Sequence, residues 1–139
     1  MKRCNRRTSV RFGLGLVGLS MALGSQVWAA DTSPQAQLAH WTAQAGQAGD
    51  AARGQLFFTQ KHGHEWACAS CHHAPPTRPG EHAVTGKTIR PMAPAFNPSA
   101  FTITKKVDKW FRRNCGDVLG RECSALEKAD VLAYLIDLK

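Results

Sequence analysis

Beyond its first thirty residues the chain holds no apolar run long enough to cross a bilayer. The one early run, Phe12 to Leu23, stops at twelve residues, short of the roughly 20 that a helical span needs. A helix-spanning membrane protein is therefore not expected. The sequence also lacks a second C-x-x-C pair, a βαβ pattern, any alternating strand pattern, any repeat and any low-complexity tract. These absences remove the zinc ribbons, the thioredoxin-like dithiols, the β-sandwiches and the solenoids. Acids are scarce as well, ten against eighteen Lys and Arg, for a formal net charge of +8. Five of those bases and none of the acids fall in the first thirty residues, so the remainder carries thirteen against ten, a net +3. No basic stripe interleaved with aromatics is evident in that remainder, and nucleic-acid binding is set aside.

What is present at the start has the layout of a secretory leader. Lys2, Arg3, Arg6, Arg7 and Arg11 precede the apolar run, and Val27-Trp28-Ala29 follows it as a small-residue cleavage site. Cutting after Ala29 or Ala30 gives a signal peptide over residues 1–30 and one domain over 31–139, delivered soluble to the periplasm. Gly13, Gly15, Gly18 and Gly24 make the run a poor permanent helix. Ser9 and Val10 stand where a twin-arginine signal wants a bulky apolar pair, which favours the general secretory route. Cys4 lies ahead of the apolar run, so it leaves with the leader and is no lipid anchor.

Four cysteines remain. Two belong to Cys68-Ala69-Ser70-Cys71-His72, a C-x-x-C-H run that is the attachment signature of a c-type haem. The thiols can form thioethers to the haem vinyls, and His72 can then ligate the iron. Cys115 and Cys123 are left as an even pair in an oxidising compartment, where a disulfide between them is expected. Closing so short a loop adds about 2 to 3 kcal/mol on the chain-entropy model.

The rest reads as a small all-α domain of about four helices. Pro34 to Ala45 carries Leu38, Trp41 and Ala45 on one face; Asp50 caps a second helix with Ala51, Gly54, Phe57 and Phe58 at helical spacing. Thr104 is expected to cap a third helix through Arg113, and Ser124 with Glu127 forms a capping box for the last. From Ala74 to Ala100 the chain holds six of its seven prolines, so a long loop around the haem edge is expected there. Lys87 and Arg90 lie in that loop, as candidate propionate contacts or as solvated charges.

The opposite face of the iron has several candidate ligands. Met92 is the ordinary electron-transfer choice, and His40, His62, His64 and His82 are alternatives, while His73 must point away from the iron that His72 holds. Val107, Trp110, Phe111 and Asn114 stand at i, i+3, i+4 and i+7 on one helical face. From spacing alone Asn114 reads as a left-handed residue ending that helix.

The run Lys109-Trp110-Phe111-Arg112-Arg113-Asn114-Cys115, the second cysteine at Cys123 and the ending Glu127-Lys128-Ala129-Asp130-Val131-Leu132-Ala133-Tyr134-Leu135 resemble the sphaeroides haem protein family of monohaem c-type cytochromes. The Methylophilus cytochrome c″ is related to that family. The likeness begins around Gly54-Gln55-Leu56-Phe57 and continues to the end. In the family an asparagine immediately before the first disulfide cysteine ligates ferric iron, and in cytochrome c″ a histidine takes that place. The resemblance implies that Asn114 is the distal ligand beside a Cys115–Cys123 disulfide. It also implies that Met92, within Ile89 to Ala95, passes near the haem without binding iron.

A carboxamide oxygen is a hard, weak donor that suits ferric better than ferrous iron, so reduction is expected to release Asn114. O2, NO or CO could then enter a pocket lined by Trp110 and Phe111. The function implied is that of an electron carrier whose redox partners are a dihaem cytochrome c and a membrane cytochrome b. A sensor or carrier of O2 or NO, and an ordinary six-coordinate cytochrome using Met92 or a histidine, are the alternatives. Turnover of O2, NO or peroxide would need distal acid–base groups, and around Asn114 there are Arg112, Arg113 and Asp117 but no histidine.

Overall fold

The computed structural model describes residues 30–139, so the expected leader and Cys4 lie outside the described residues, apart from Ala30. Two elements begin as their caps dictate. In α1 (Pro34–Ala45) the Ser33 hydroxyl accepts from the Ala36 N–H at 3.1 Å, with proline tolerated in the first turn. In α2 (Ala51–Thr59) the Asp50 carboxylate accepts from the Arg53 N–H at 2.7 Å. A single helical turn, α3 (Cys68–His72), carries the C-x-x-C-H run.

The proline-rich segment that follows is mostly irregular. It does hold one two-residue antiparallel pair, β1 (Gly80–Glu81) and β2 (Thr88–Ile89), which the sequence pattern does not announce. Strands this short carry no readable alternation. The third long helix, α4, spans Thr104–Leu119 and so runs beyond the expected end at Arg113. It stops at Gly120, whose φ of +66° only glycine adopts freely. Its start is capped from afar: the Asp31 carboxylate accepts from the Thr104 N–H at 2.7 Å and from its hydroxyl at 3.0 Å. The last helix, α5 (Ala125–Asp137), opens with the reciprocal Ser124 and Glu127 capping box.

Helix α5 is the hub, packed against both α1 and α2. The crossing with α2 is close because residue 54 has no side chain: a Cβ there would lie 2.5 Å from the Asp130 carbonyl carbon and 2.9 Å from Tyr134 Cβ. Asp130, buried at this crossing, accepts from the Asp50 N–H at 2.7 Å and from Arg53 Nε and Nη2 at 2.9 and 2.7 Å. Phe58 and Leu135 are fully buried and, with Val131 and Tyr134, form the floor on which Cys68 and Ala69 of the C-x-x-C-H turn sit.

Candidate functional site

The chain leaves α2 at Thr59 and reaches the motif after eight residues, so α3 is set directly above the Phe58 core. Cys68 and Cys71 stand one turn apart, on one face of that turn, and both thiols are free. The His72 ring lies 6.3 Å from the Phe58 ring. Burial first, then the charges of His73 and His82, hold His72 down to about 4, so its imidazole is neutral and able to donate a lone pair. Burial likewise pushes the Cys68 thiol up to about 11. A thiol kept protonated is a poor redox nucleophile, which counts against the redox-dithiol reading of the motif. Among the described residues no three His, Cys, Asp or Glu side chains converge as a metal cage.

The surroundings suit a large flat apolar group. Phe57, Cys68, Ala69, Met92, Phe101 and Phe111 are only partly buried where they pack against the Phe58, Val131, Tyr134 and Leu135 cluster. The β1–β2 segment closes on the motif: the Ala83 N–H points at Cys71 Sγ, 3.4 Å away, and a Cβ on Gly80 would collide with the Cys71 carbonyl oxygen. His73, with φ of +62°, caps α3 and is exposed. Cys68, Cys71 and His72 thus hold what covalent haem needs: two free thiols one turn apart, a neutral imidazole beside them and an apolar floor.

Helix α4 crosses beside this site with Phe111 inward, where it packs against the same clusters as Cys68. Asn114 follows one turn later, half-buried, in the interior of the helix and with no left-handed backbone. The spacing-based reading of Asn114 as a left-handed terminal residue is thereby overturned. The cause is that Gly116 continues the helix rather than breaking it, and the left-handed residue is Gly120. Among the described residues no side-chain hydrogen bond engages the Asn114 carboxamide. Cys115 and Cys123 are joined in a disulfide that ties α4 to the segment leading into α5. Trp110 diverges from Phe111: it stands on the rim of the same face, 47% exposed.

The other candidates are dispersed. Met92 packs on the Phe58 cluster, and its N–H bonds the Pro76 carbonyl at 3.1 Å, four residues after His72. His40 stacks edge-on against Trp41 on α1, and His62 is 2.8 Å from the Phe57 carbonyl. His82 is occupied in its own turn, its Nδ1 accepting from the Val84 and Thr85 N–H groups. The ring of His64 reaches Gly120 at the end of α4, a long-range approach that its position four residues before Cys68 does not suggest. Lys87 is exposed, and Arg90 Nη1 lies 3.5 Å from Ser99 Oγ. Arg112 borders a small cleft with Trp41, Asp108, Glu122 and Lys128, and Asp117 sits 4.0 Å from Arg113.

Comparison with known proteins agrees with this geometry. A family model described as "Domain of unknown function (DUF1924)" matches residues 44–135. The cytochrome c-type protein SHP of Cereibacter sphaeroides is 45% identical over 121 residues, covering 84% of this chain and 93% of the relative. Cytochrome c″ of Methylophilus methylotrophus is 46% identical over 87 residues, 60% of each chain. The structure of oxidised SHP, described as an oxygen-binding cytochrome c, superposes with a TM-score of 0.71 at 44% identity, covering 76% of this chain and 96% of the other. The crystal structure of oxidised cytochrome c″ gives 0.67 at 38% identity, covering 75% and 93%. The free thiol pair, the adjacent neutral imidazole and the likeness along most of the described fold converge: the chain belongs to the DUF1924 family, with SHP and cytochrome c″ as relatives, and is a monohaem c-type cytochrome.

Proposed function

We propose that this cytochrome is a periplasmic electron carrier in which Asn114 ligates the ferric iron opposite His72 and lets go on reduction. Bound haem supplies the one-electron chemistry of its iron. The observation that carries the reading is Asn114 itself: half-buried, inside α4, one turn from the inward Phe111, its carboxamide committed to no partner among the described residues. Its oxygen is a donor matched to the ferric charge and poorly matched to the ferrous ion. Once released, Asn114 leaves room for O2, NO or CO beside Phe111 and Trp110, and its N–H can donate a hydrogen bond to the entrant. The oxygen binding named for oxidised SHP is in keeping with this. Electrons reach the site from partner cytochromes, a dihaem cytochrome c and a membrane cytochrome b.

Absorption spectra of the haem-loaded protein test the proposal. The ferric form is expected to be low-spin or mixed-spin, and dithionite to produce a high-spin ferrous form that binds CO rapidly. Asn114→Ala is expected to keep the covalent haem and to give high-spin ferric iron. A ferrous spectrum that stays six-coordinate and low-spin refutes Asn114 release and moves the assignment to Met92 or to His64, which reaches the end of the same helix.

A further inference from the structure

Helix α4 presents a second, outward face, which meets the proposed ligand pocket at Trp110. Lys106, Lys109, Trp110 and Arg113 stand at i, i+3, i+4 and i+7, so they form one stripe about 10 Å long, and all four are exposed. The Lys109 ammonium lies 5.4 Å and the Arg113 guanidinium 5.7 Å from the centre of the Trp110 ring. Both cations are within reach of the ring's π face, which orders the three side chains around one aromatic. No such stripe is evident along the linear sequence; the winding of α4 creates this short one, because residues scattered as Lys-x-x-Lys-Trp-x-x-Arg converge only on a helix.

The acids do not cancel it. On α4 Asp108 turns to the small cleft with Trp41, Arg112, Glu122 and Lys128, and Asp117 marks the far end of the stripe, 4.0 Å from Arg113. Among the described residues, Lys106 and Lys109 form no ion pair. Trp110 also sits at the border between this stripe and the inward face that holds Phe111 and Asn114. The same helix therefore joins a charged outer surface to the iron site.

We propose that the Lys106, Lys109, Trp110 and Arg113 stripe is the docking surface for an acidic face of a redox protein that exchanges one electron with the haem. This rests on the electron-carrier reading. The partner gains the one electron that ferrous iron loses in becoming ferric, and the reverse exchange recharges the carrier. A protein fits better than a lipid surface: one aromatic flanked by Lys and Arg matches the anchor-and-rim composition of a protein contact, whereas membrane seating needs several bulky apolar groups on one face.

The test uses the haem-loaded, reduced protein and inorganic oxidants in a stopped-flow instrument. Ferricyanide, an anion, takes one electron and becomes ferrocyanide; tris(phenanthroline)cobalt(III), a cation, takes one electron and becomes cobalt(II). The double variant Lys106→Glu/Lys109→Glu is compared with Lys61→Glu/Lys139→Glu, which changes net charge equally at exposed sites away from α4. At low ionic strength the stripe variant is expected to react about tenfold more slowly with ferricyanide and faster with the cobalt complex, with both differences fading as salt is raised. The control pair should shift either rate less than about twofold. Poly-L-glutamate should inhibit the ferricyanide reaction of the unaltered protein competitively and leave the stripe variant untouched.

Equal slowing in both variants overturns the proposal by assigning the effect to net charge alone. So does a stripe variant with unchanged rates. Tighter binding to phosphatidylglycerol vesicles or to duplex DNA than to polyglutamate also overturns it, in favour of those polyanions. The static spectra of the stripe variant, ferric and ferrous with CO, are expected to match the unaltered protein, so loss of docking is read separately from any failure of Asn114 release.

Discussion

Gly54 and Gly116 both lie inside helices, yet the same change to alanine is expected to move stability in opposite directions. At residue 54 a Cβ would come 2.5 Å from the Asp130 carbonyl carbon and 2.9 Å from Tyr134 Cβ, against an ordinary contact of 3.4 Å or more. The obstacle is backbone, so α2 and α5 must separate by about 1 Å. Overpacking of this kind costs about 3 kcal/mol, and the better helix propensity of alanine returns about 1, leaving a net loss of about 2 kcal/mol. At residue 116 a Cβ meets nothing within 4 Å, and only the propensity gain of about 1 kcal/mol applies. Thermal unfolding of the ferric haem-loaded protein, followed by far-ultraviolet circular dichroism, reads both. For a domain of about 110 residues the melting temperature should fall by roughly 8 °C in Gly54→Ala and rise by roughly 4 °C in Gly116→Ala. A Gly54→Ala protein as stable as the unaltered one would falsify the tight α2–α5 crossing. Destabilisation by Gly116→Ala would show that α4 does not run unbroken past Asn114.

Three further outcomes follow from individual contacts. Hydrogen bonding from Arg121 first, with Ser124 assisting, pulls Glu127 down to about 2 from its ordinary 4.5. A folded-state value below the unfolded one means stability that is full above pH 4.5 and is lost as pH falls toward 2. Glu127→Gln keeps a capping side chain while removing that charge, so its melting temperature should converge on the unaltered protein's across this window; parallel curves would refute the ion pair's role. Asp31→Ala removes the long-range cap of α4 and should cost about 1 kcal/mol in denaturant titrations, whereas no change would mean that Thr104 caps itself. Gly80→Ala drives a Cβ into the Cys71 carbonyl oxygen, and the fraction of chain recovered with covalent haem should drop; full recovery would mean that the β1–β2 segment does not press on the motif.

Local signals carry much of the fold. The Asp50 and Ser124 caps and the C-x-x-C-H run are decided within a few residues, and each is legible in the sequence alone. The end of α4 shows the limit. Asn114, Cys115 and Gly116 resemble a stop signal, but Val118 and Leu119 bury against the disulfide cluster and draw the helix on to Gly120. Contacts between distant residues are invisible in the sequence for the same reason: Asp31 meets Thr104, and His64 meets Gly120, only after the chain has folded. At the candidate site the C-x-x-C-H residues of α3 are legible directly, whereas the nearness of α4 depends on Phe111 finding the same core as Cys68.

The disulfide turns α4 into a beam clamped at one end. Cys115 is fixed to Cys123 with their Cα atoms 5.5 Å apart, and Arg121 binds Glu127 at 2.7 Å just beyond, so the pivot lies at the C-terminal third of the helix. Lys106 is nine residues from that pivot, about 13 Å along the axis, while Asn114 is its immediate neighbour. A tilt large enough to carry the Asn114 backbone away from the iron would sweep the Lys106 end through many times that distance and tear Phe111 from its core. On the proposal that reduction frees Asn114, the release is a side-chain rotation, completed while the beam stays still. Rotation of one side chain leaves the helix axis where it is, so the proposed docking stripe presents the same shape to its partner before and after the electron arrives.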